Sequence, residues 1–314
     1  MVGSAKVLRI AERVTDLISD NLYLRVRFRQ QFGWWPNVRN PRSFNEHLLR
    51  YKLSSKSDQR LPLLADKIAA KAAVAQQIGE HHVIPTIWSG PRLPPRGERN
   101  WPKPYVLKAT HRSGANIFVH DGQVENWDAI EATCAEWLSA PFGVKGREWH
   151  YAKIAPRLLV EPCIGPPGTP PHDIKIFCFH GKAHVINIIQ DRFGETKAYS
   201  FDTNWNLLPF DFIKKRGPEV PPPPANVQDL IRIAEALAHG FEYVSVDLYN
   251  VDDHIYFGEM TFTTANGTGQ FHPPSGDFML GQLWKQSAAG FSSSGNAPQF
   301  AYSVAEERYA APGG

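Results

Sequence analysis

The sequence predicts an α+β fold, with antiparallel sheets and helices packed against them. Strand-like runs follow one another at 104–123, 155–165, 172–193 and 244–262, and two of them double back on a short polar turn. Helical patterns stand before and between these runs without the one-to-one alternation of a parallel sheet. Proline is clustered where joints are expected: SGPRLPPRGERNWPKP (89–104), CIGPPGTPPHD (163–173) and RGPEVPPPPANV (216–227). The 314 residues are enough for one large domain or two to three subdomains. With 42% apolar and 21% charged residues the chain is not generally disordered, and a net charge of +3 gives no ground for a nucleic-acid partner.

The elements follow in chain order. MVGSAKVLRIAERVTDL (1–17) carries Glu12 and Asp16 and reads as an amphipathic helix rather than a signal peptide. LRVRFRQQFGWWPNVRNPR (24–42) interleaves five arginines with Trp34 and Trp35. Such a segment suits an anionic membrane surface, a glycan or nucleic acid, or else its tryptophans pack on the domain and its arginines face solvent. In LPLLADKIAAKAAVAQQIGEHH the apolar spacing predicts a helix over 63–79, stopped at Gly79. Further helices are expected at 126–139 and 226–239, the second ended by Gly240. The joints divide the chain into a helical region (1–103), a small subdomain (104–165), a large one (166–290) and a tail (291–314). Cys134, Cys163 and Cys178 show no CxxC spacing, so a reducing, cytoplasmic setting is expected. No run of about 18 apolar residues is present to span a membrane. The histidines lack zinc spacing.

Charged residues inside the apolar runs are the functional signal. Lys108 sits in YVLKATH, where a lysine is costly without an anion to face. His111, Ser113 and Gly114 follow in a turn whose backbone N–H groups can fold over phosphates. Glu161 ends LLVE, and Asp173 and Lys175 alternate with apolar residues in HDIKIFCF. Asp247 and Glu259 lie in the two halves of VSVDLYNVDDHIYFGEMTF (244–262). A turn centred on Asp252 sets Glu259 opposite Ser245, with Asp247 its diagonal neighbour at about 7–8 Å, a span a metal ion can bridge. That register puts Ile255 and Phe257 on the face of Glu259, and leaves two neighbouring acids to repel one another until a cation arrives. The Asp252–Asp253 pair reads as turn chemistry.

These stretches resemble the ATP-grasp superfamily, and most closely its TupA-like branch, associated with teichuronic acid and other surface polysaccharide synthesis. NPRSFNEHLLRYKL, ADKIAAK, YVLKATHRSG, DIKIFCFHGK, VDLYNVDDHIYFGEMTF and GTGQFHPPSGDFMLG carry the resemblance over about residues 40–285, in the expected order. It implies a nucleotide cleft between antiparallel sheets, with ATP and magnesium as cofactors. It also implies that Lys67 and Lys108 contact phosphates and that Glu161, Cys163 and Ile164 form the adenine hinge. Asp173 would hold the ribose, and Asp247 and Glu259 the metal. Two positions depart from the pattern. Ser245 stands where an arginine is common, and Thr261, able to ligate magnesium through its hydroxyl, stands where an asparagine is. Arg192 or His111 would have to restore the missing positive charge. The implied activity is carboxylate–amine ligation through an acylphosphate, on small-molecule or glycan substrates. Phosphotransfer to a glycan hydroxyl and a catalytically degenerate nucleotide- or glycan-binding module remain the alternatives.

Overall fold

The computed structural model describes residues 19–166, 171–190 and 194–288. The expected helix at 1–17, Arg192 and the tail 291–314 lie outside the described residues. The helices are α1 (Asp20–Phe32), α2 (Phe44–Ser54), α3 (Arg60–Ala65), α4 (Ala69–Ile78), α5 (Trp127–Ser139), α6 (Trp149–Ala152), α7 (Val227–Ala238) and α8 (Ser275–Ser287). The small sheet has the order β1 (Trp88–Gly90), β4 (Leu158–Pro162), β2 (Tyr105–Ala109), β3 (Asn116–Val119). The large one runs β10 (His254–Thr261), β9 (Tyr243–Val251), β5 (Asp173–Phe179), β6 (Lys182–Gln190), β7 (Lys197–Phe201). A two-stranded pair joins β8 (Asp211–Phe212) to β11 (Phe271–His272). Every strand pairing within these sheets is antiparallel.

Each sheet buries one face under a helix. In α7, Leu230, Ile233, Ala234, Leu237 and Ala238 recur at helical spacing and are all buried, where the helix packs on β5, β6 and β9. In α5, Ile130 and Cys134, one turn apart, face Leu107, Leu158 and Val160 of the small sheet. The large sheet's other face divides along its length. At one end Phe177, Phe179 and Tyr243 meet Phe44 of α2 and Trp284 of α8, with ring centroids 4.8–6.4 Å apart. At the other end the same face turns polar. The α2 entry is held by a capping box: Ser43 accepts from the Glu46 N–H, and Glu46 accepts the N–H groups of Ser43, Arg42 and Asn37. The α2–α8 approach depends on Gly281, where a Cβ would collide with the Arg42–Ser43 backbone.

Three expectations are corrected. The helix over 63–79 is two helices. Asp66 breaks it by adopting an extended backbone and accepting the N–H groups of Ile68 and Ala69 (2.8 and 3.3 Å), while Arg157 holds its other oxygen at 2.7 Å. Lys67 therefore stands at a joint. The small sheet reaches back to Trp88, before the expected boundary at 104, because β1 pairs with β4. Residues before 104 also enter the main core, through Phe44, Leu48, Leu64 and Val74.

The third correction is the register of the 244–262 hairpin. Asp252 and Asp253 both take positive φ (50° and 60°), giving a two-residue turn that pairs Val251 with His254 and Leu248 with Phe257. Continued, that register would set Glu259 beside Val246, on the face away from Asp247. A bulge at Gly258 restores it, and Glu259 pairs directly with Asp247. Ile255 and Phe257 consequently lie in the core with Met260, while Glu259 and Thr261 turn to the opposite face.

Candidate functional site

One wall of the site belongs to the small sheet. Tyr105, Leu107 and Ala109 point into its core, so Val106 and Lys108 point outward. Register adds Asn116 and Phe118 from β3 and Glu161 from β4 to the same face. Glu161 is only 4% exposed and is held from both sides: Lys108 Nζ lies 2.6 Å from one oxygen and Lys71 Nζ 2.5 Å from the other. Burial works to raise this carboxyl, but the two ammonium groups outweigh it and hold it below the usual range. Lys71 is itself fixed by the Ile84 carbonyl (2.7 Å) and the Thr86 hydroxyl (2.8 Å).

The other wall is the polar end of the large sheet, where five strands each place one polar side chain in a single row. Glu259 of β10 pairs with Asp247 of β9, Asp247 with Lys175 of β5, Lys175 with Asn187 of β6, and Asn187 with Ser200 of β7. Lys175 forms an ion pair with Asp247 Oδ2, and the Ser245 hydroxyl donates to Oδ1 at 3.0 Å. Lys67 reaches across from the α3–α4 joint to Glu259 at 3.2 Å, and donates to the Arg112 carbonyl at 3.0 Å. Burial would raise Glu259, but Lys67, Lys175 and Lys108 outweigh it and hold the carboxyl below its ordinary range.

Two cavities meet at this row. One of about 390 Å³ lies between the walls and is lined by Lys67, Lys108, Gly114, Asp173, Asp247 and Glu259, with Asn116, Phe118 and Tyr249. The second, about 430 Å³, shares Glu259 and continues past Lys175 and Asn187 to Ser113, Thr261, Lys214 and Glu148. The Glu148 carboxyl is pushed up by burial, against the pull of the Lys52 ammonium and a 2.5 Å hydrogen bond from the Thr263 hydroxyl. Ala265 and Asn266, also on this cavity, hold φ of 48° and 57°, a left-handed conformation that costs about 1–3 kcal/mol per residue. Buried Lys52 fastens that loop by donating to Asn266 Oδ1, to the Asn266 carbonyl (3.2 Å) and to the Gly146 carbonyl (2.5 Å). Burial pulls the Lys52 ammonium down to about 8.

Of the residues expected from sequence, the structure thus gathers Lys67, Lys108, Gly114, Asp173, Asp247 and Glu259 on one cavity, and Ser113, Lys175 and Thr261 on its neighbour. Cys163 follows β4, and its N–H is donated to the Pro104 carbonyl at 3.0 Å, so an N–H for a bound base would come from Ile164. His111 is a correction. It is buried, its Nε2 lies 3.0 Å from the Trp137 carbonyl at the end of α5, and it lines neither cavity. Sequence reasoning missed Lys71, four residues after Lys67 on the first turn of α4, and Asn116 and Phe118, whose alternation matches that of Lys108 and Val106 across the hairpin. It also missed Glu148, which no local pattern marks.

The donor set can be tested against magnesium. Among the described residues no group of three or more His, Cys, Asp or Glu is arranged to hold a metal. Two directly opposed carboxylates are nonetheless what magnesium takes from a protein when substrate phosphates and water complete its octahedron. Asp247 and Glu259 fit that role.

A family model described as TupA-like ATPgrasp matches residues 46–285. No curated protein matches the chain in sequence. Among solved structures, D-alanine–D-alanine ligase from Bacillus anthracis is 16% identical with a TM-score of 0.41, over 73% of this chain and 66% of that one. ATP-grasp ligase PsnB, complexed with a phosphomimetic variant of minimal precursor, Mg and ADP, is 12% identical with a TM-score of 0.42, over 90% and 74%. The D-alanine–D-alanine ligase of Helicobacter pylori is 14% identical with a TM-score of 0.38, over 72% and 61%.

Proposed function

Because the chain belongs to the TupA-like ATP-grasp family, we propose that it is an ATP- and magnesium-dependent carboxylate–amine ligase acting on a sugar or uronic acid of surface polysaccharide synthesis. The expected fold, two antiparallel sheets with packed helices around a cleft, is the one observed. One observation carries the functional reading: Lys67, Lys108, Asp247 and Glu259 converge on one cavity, and Glu259 also borders the second. Phosphate and acceptor would meet there.

In this reading Lys67 and Lys108 hold phosphates, with the Ser113–Gly114 backbone above them. Asp173 takes the ribose, and the segment after Glu161, through Cys163 and Ile164, takes the base. Asp247 and Glu259 hold magnesium, which when bound neutralises the triphosphate and favours phosphoryl transfer. With the two acids engaged by a cation, Lys67 and Lys175, which now pair with Glu259 and Asp247, would be left to face phosphate. An oxygen of the substrate carboxylate attacks the γ-phosphorus and the bond to ADP breaks. The amine nitrogen then attacks the acyl carbon, phosphate leaves with the acyl–oxygen bond pair, and the amine proton passes to Glu148. The raised Glu148 carboxyl suits that transfer. Lys52 is a positioning residue for the loop opposite. The reaction belongs in the cytoplasm, in keeping with three free cysteines, and beside a membrane or glycan surface met by residues 24–42.

Incubation with Mg-ATP and a panel of uronic acids, amino acids and amino sugars, resolved by mass, tests the proposal. Phosphate release that requires the amine, with an amide product, supports ligation. A phosphorylated glycan formed without amine would replace it with phosphotransfer, a reading the hydroxyls of Ser113, Thr196 and Thr263 on the second cavity would serve.

A further inference from the structure

We propose that the arginine- and tryptophan-bearing face of α1, the 33–42 segment and the start of α8 docks the protein on an anionic phospholipid bilayer. The two tryptophans of this segment have different fates. Trp34 is packed, stacking on Phe28 and meeting the edge of Phe278, both at 5.4 Å. Trp35 is 56% exposed, and beyond it Phe278 and Met279 on α8 are 39% and 36% exposed. These lie on one stretch of surface: the Trp34–Phe278 contact joins α8 to the segment, and Arg25 donates to the Pro36 carbonyl at 3.4 Å.

Among the described residues the charge on this surface is not neutralised locally. Arg25 and Arg29 are one turn apart on α1, and Arg39 and Arg42 are exposed. Among the described residues none of the four guanidinium groups has a carboxylate partner, whereas Arg50, Arg60 and Arg96 elsewhere each do. The nearby acids are committed. Asp20 pairs with Lys56 and Arg147, and Glu46 accepts three backbone N–H groups. Unpaired guanidinium groups beside an exposed indole and thioether match a bilayer interface, where arginines meet phosphates and tryptophan settles at the headgroup boundary. The exposed Phe278 and Met279 favour lipid over a hydrated acidic polysaccharide, which would leave that apolar surface wet.

Docking needs neither nucleotide nor acceptor, so its test is independent of the ligase reading. The full chain is floated with vesicles of phosphatidylcholine alone, and with vesicles containing about one-quarter phosphatidylglycerol, at low and high salt. Flotation is expected on the anionic vesicles at low salt and should fade at high salt. Arg39→Glu with Arg42→Glu should weaken it by more than tenfold, at about fivefold for each arginine removed from an anionic surface. Trp35→Ser should weaken it at both salts without altering the melting temperature. Three results would overturn the proposal: no flotation on anionic vesicles, equal flotation on zwitterionic ones, or flotation untouched by the arginine pair. Retention on immobilised polygalacturonate by a protein that ignores vesicles would likewise overturn it, in favour of an acidic glycan.

Discussion

The small-sheet wall of the cleft sets two lysines on one carboxylate, whereas the large-sheet wall sets two carboxylates in register beside one lysine. Lys71 and Lys108 share Glu161; Asp247 and Glu259 adjoin Lys175. In the proposed reading one wall takes an anion and the other a cation, and a magnesium nucleotide presents both. Lys67 bridges the two walls by crossing to Glu259. A lysine engaged with Glu259 is not available to phosphate, so metal and nucleotide binding should be linked. Calorimetry should find weak binding of magnesium alone and of ADP alone, and strong binding of the two together. Chelation with EDTA should then remove most of the thermal stabilisation that nucleotide gives. Equal affinity for ADP with and without magnesium would break the contrast between the walls.

The largest effect is expected on the acidic wall. Asp247→Asn and Glu259→Gln should each lower turnover by about 100- to 1,000-fold, as when charge stabilisation of a transferring group is lost. Their effect on the ligand-free protein separates two pictures of the hairpin. Two acids left facing one another would make either change neutral or stabilising. In the structure each acid has its own lysine, so removing the charge strands Lys175 or Lys67, and the melting temperature should fall. Melting curves with and without Mg-ATP, measured beside turnover, distinguish the two.

The acids were legible because a carboxylate among apolar strand residues is costly, as was Lys108 for the same reason. Their pairing was not, because a period-2 pattern fixes the face of each residue only while the strand stays regular. Gly258 breaks that regularity by one residue; an isolated glycine inside a strand often marks a bulge, and it was the one local signal of this break. The long helix over 63–79 failed in a similar way. Its apolar spacing runs through Asp66, and only the capping bonds to Ile68 and Ala69 show the break. Helices at 127–139 and 227–238 were legible because their apolar stripes and end signals agree. Glu148 and Lys52 come together with the 263–267 loop only through tertiary contacts more than 90 residues apart in sequence.

On the basic wall the effects are expected to be smaller and on stability first. Glu161→Gln leaves Lys71 and Lys108 facing each other without an acid and should cost about 3 kcal/mol. Lys108→Ala leaves Glu161 its bond to Lys71, so it should cost about 1 kcal/mol while abolishing most of the Mg-ATP shift. The pH dependence checks the pair. Glu161 has a folded pKa below its ordinary 4.5, so its contribution is complete above that value and is lost as pH falls through the lowered one. The Glu161→Gln protein should therefore lose less stability than wild type across that acid range. A parallel loss in both would detach Glu161 from its lysines.

Between the walls, the bulge offers a finer test. A Cβ at Gly258 would lie 3.0 Å from the Asp247 carbonyl oxygen and 3.0 Å from the Tyr249 ring. Gly258→Ala should cost about 1–2 kcal/mol of overpacking. It should also weaken magnesium-dependent nucleotide binding more than Mg-free binding, because the shift displaces Asp247 from Glu259. A variant with normal magnesium dependence would mean that the opposition of the two acids is not set by the bulge.

The smallest effect on chemistry belongs to His111, which the turn sequence THRSGAN places beside the phosphates and the fold turns away. Its ring is buried, and with a carbonyl as partner Nε2 carries a proton and donates it. Burial also pulls its pKa below the ordinary value, against the bond to Trp137, so the neutral form persists through neutral pH. A neutral histidine facing α5 cannot supply the positive charge that Ser245 leaves missing. His111→Asn should cost about 1–2 kcal/mol through the lost hydrogen bond and looser packing. Turnover, at a temperature where both proteins are folded, should stay within about twofold of wild type. The pH profile of turnover should be unchanged, since no proton on the reaction path belongs to this ring. A hundredfold loss of turnover with an unaltered melting curve would require His111 to leave Trp137 and enter the cleft, and would return the missing charge to the small-sheet wall.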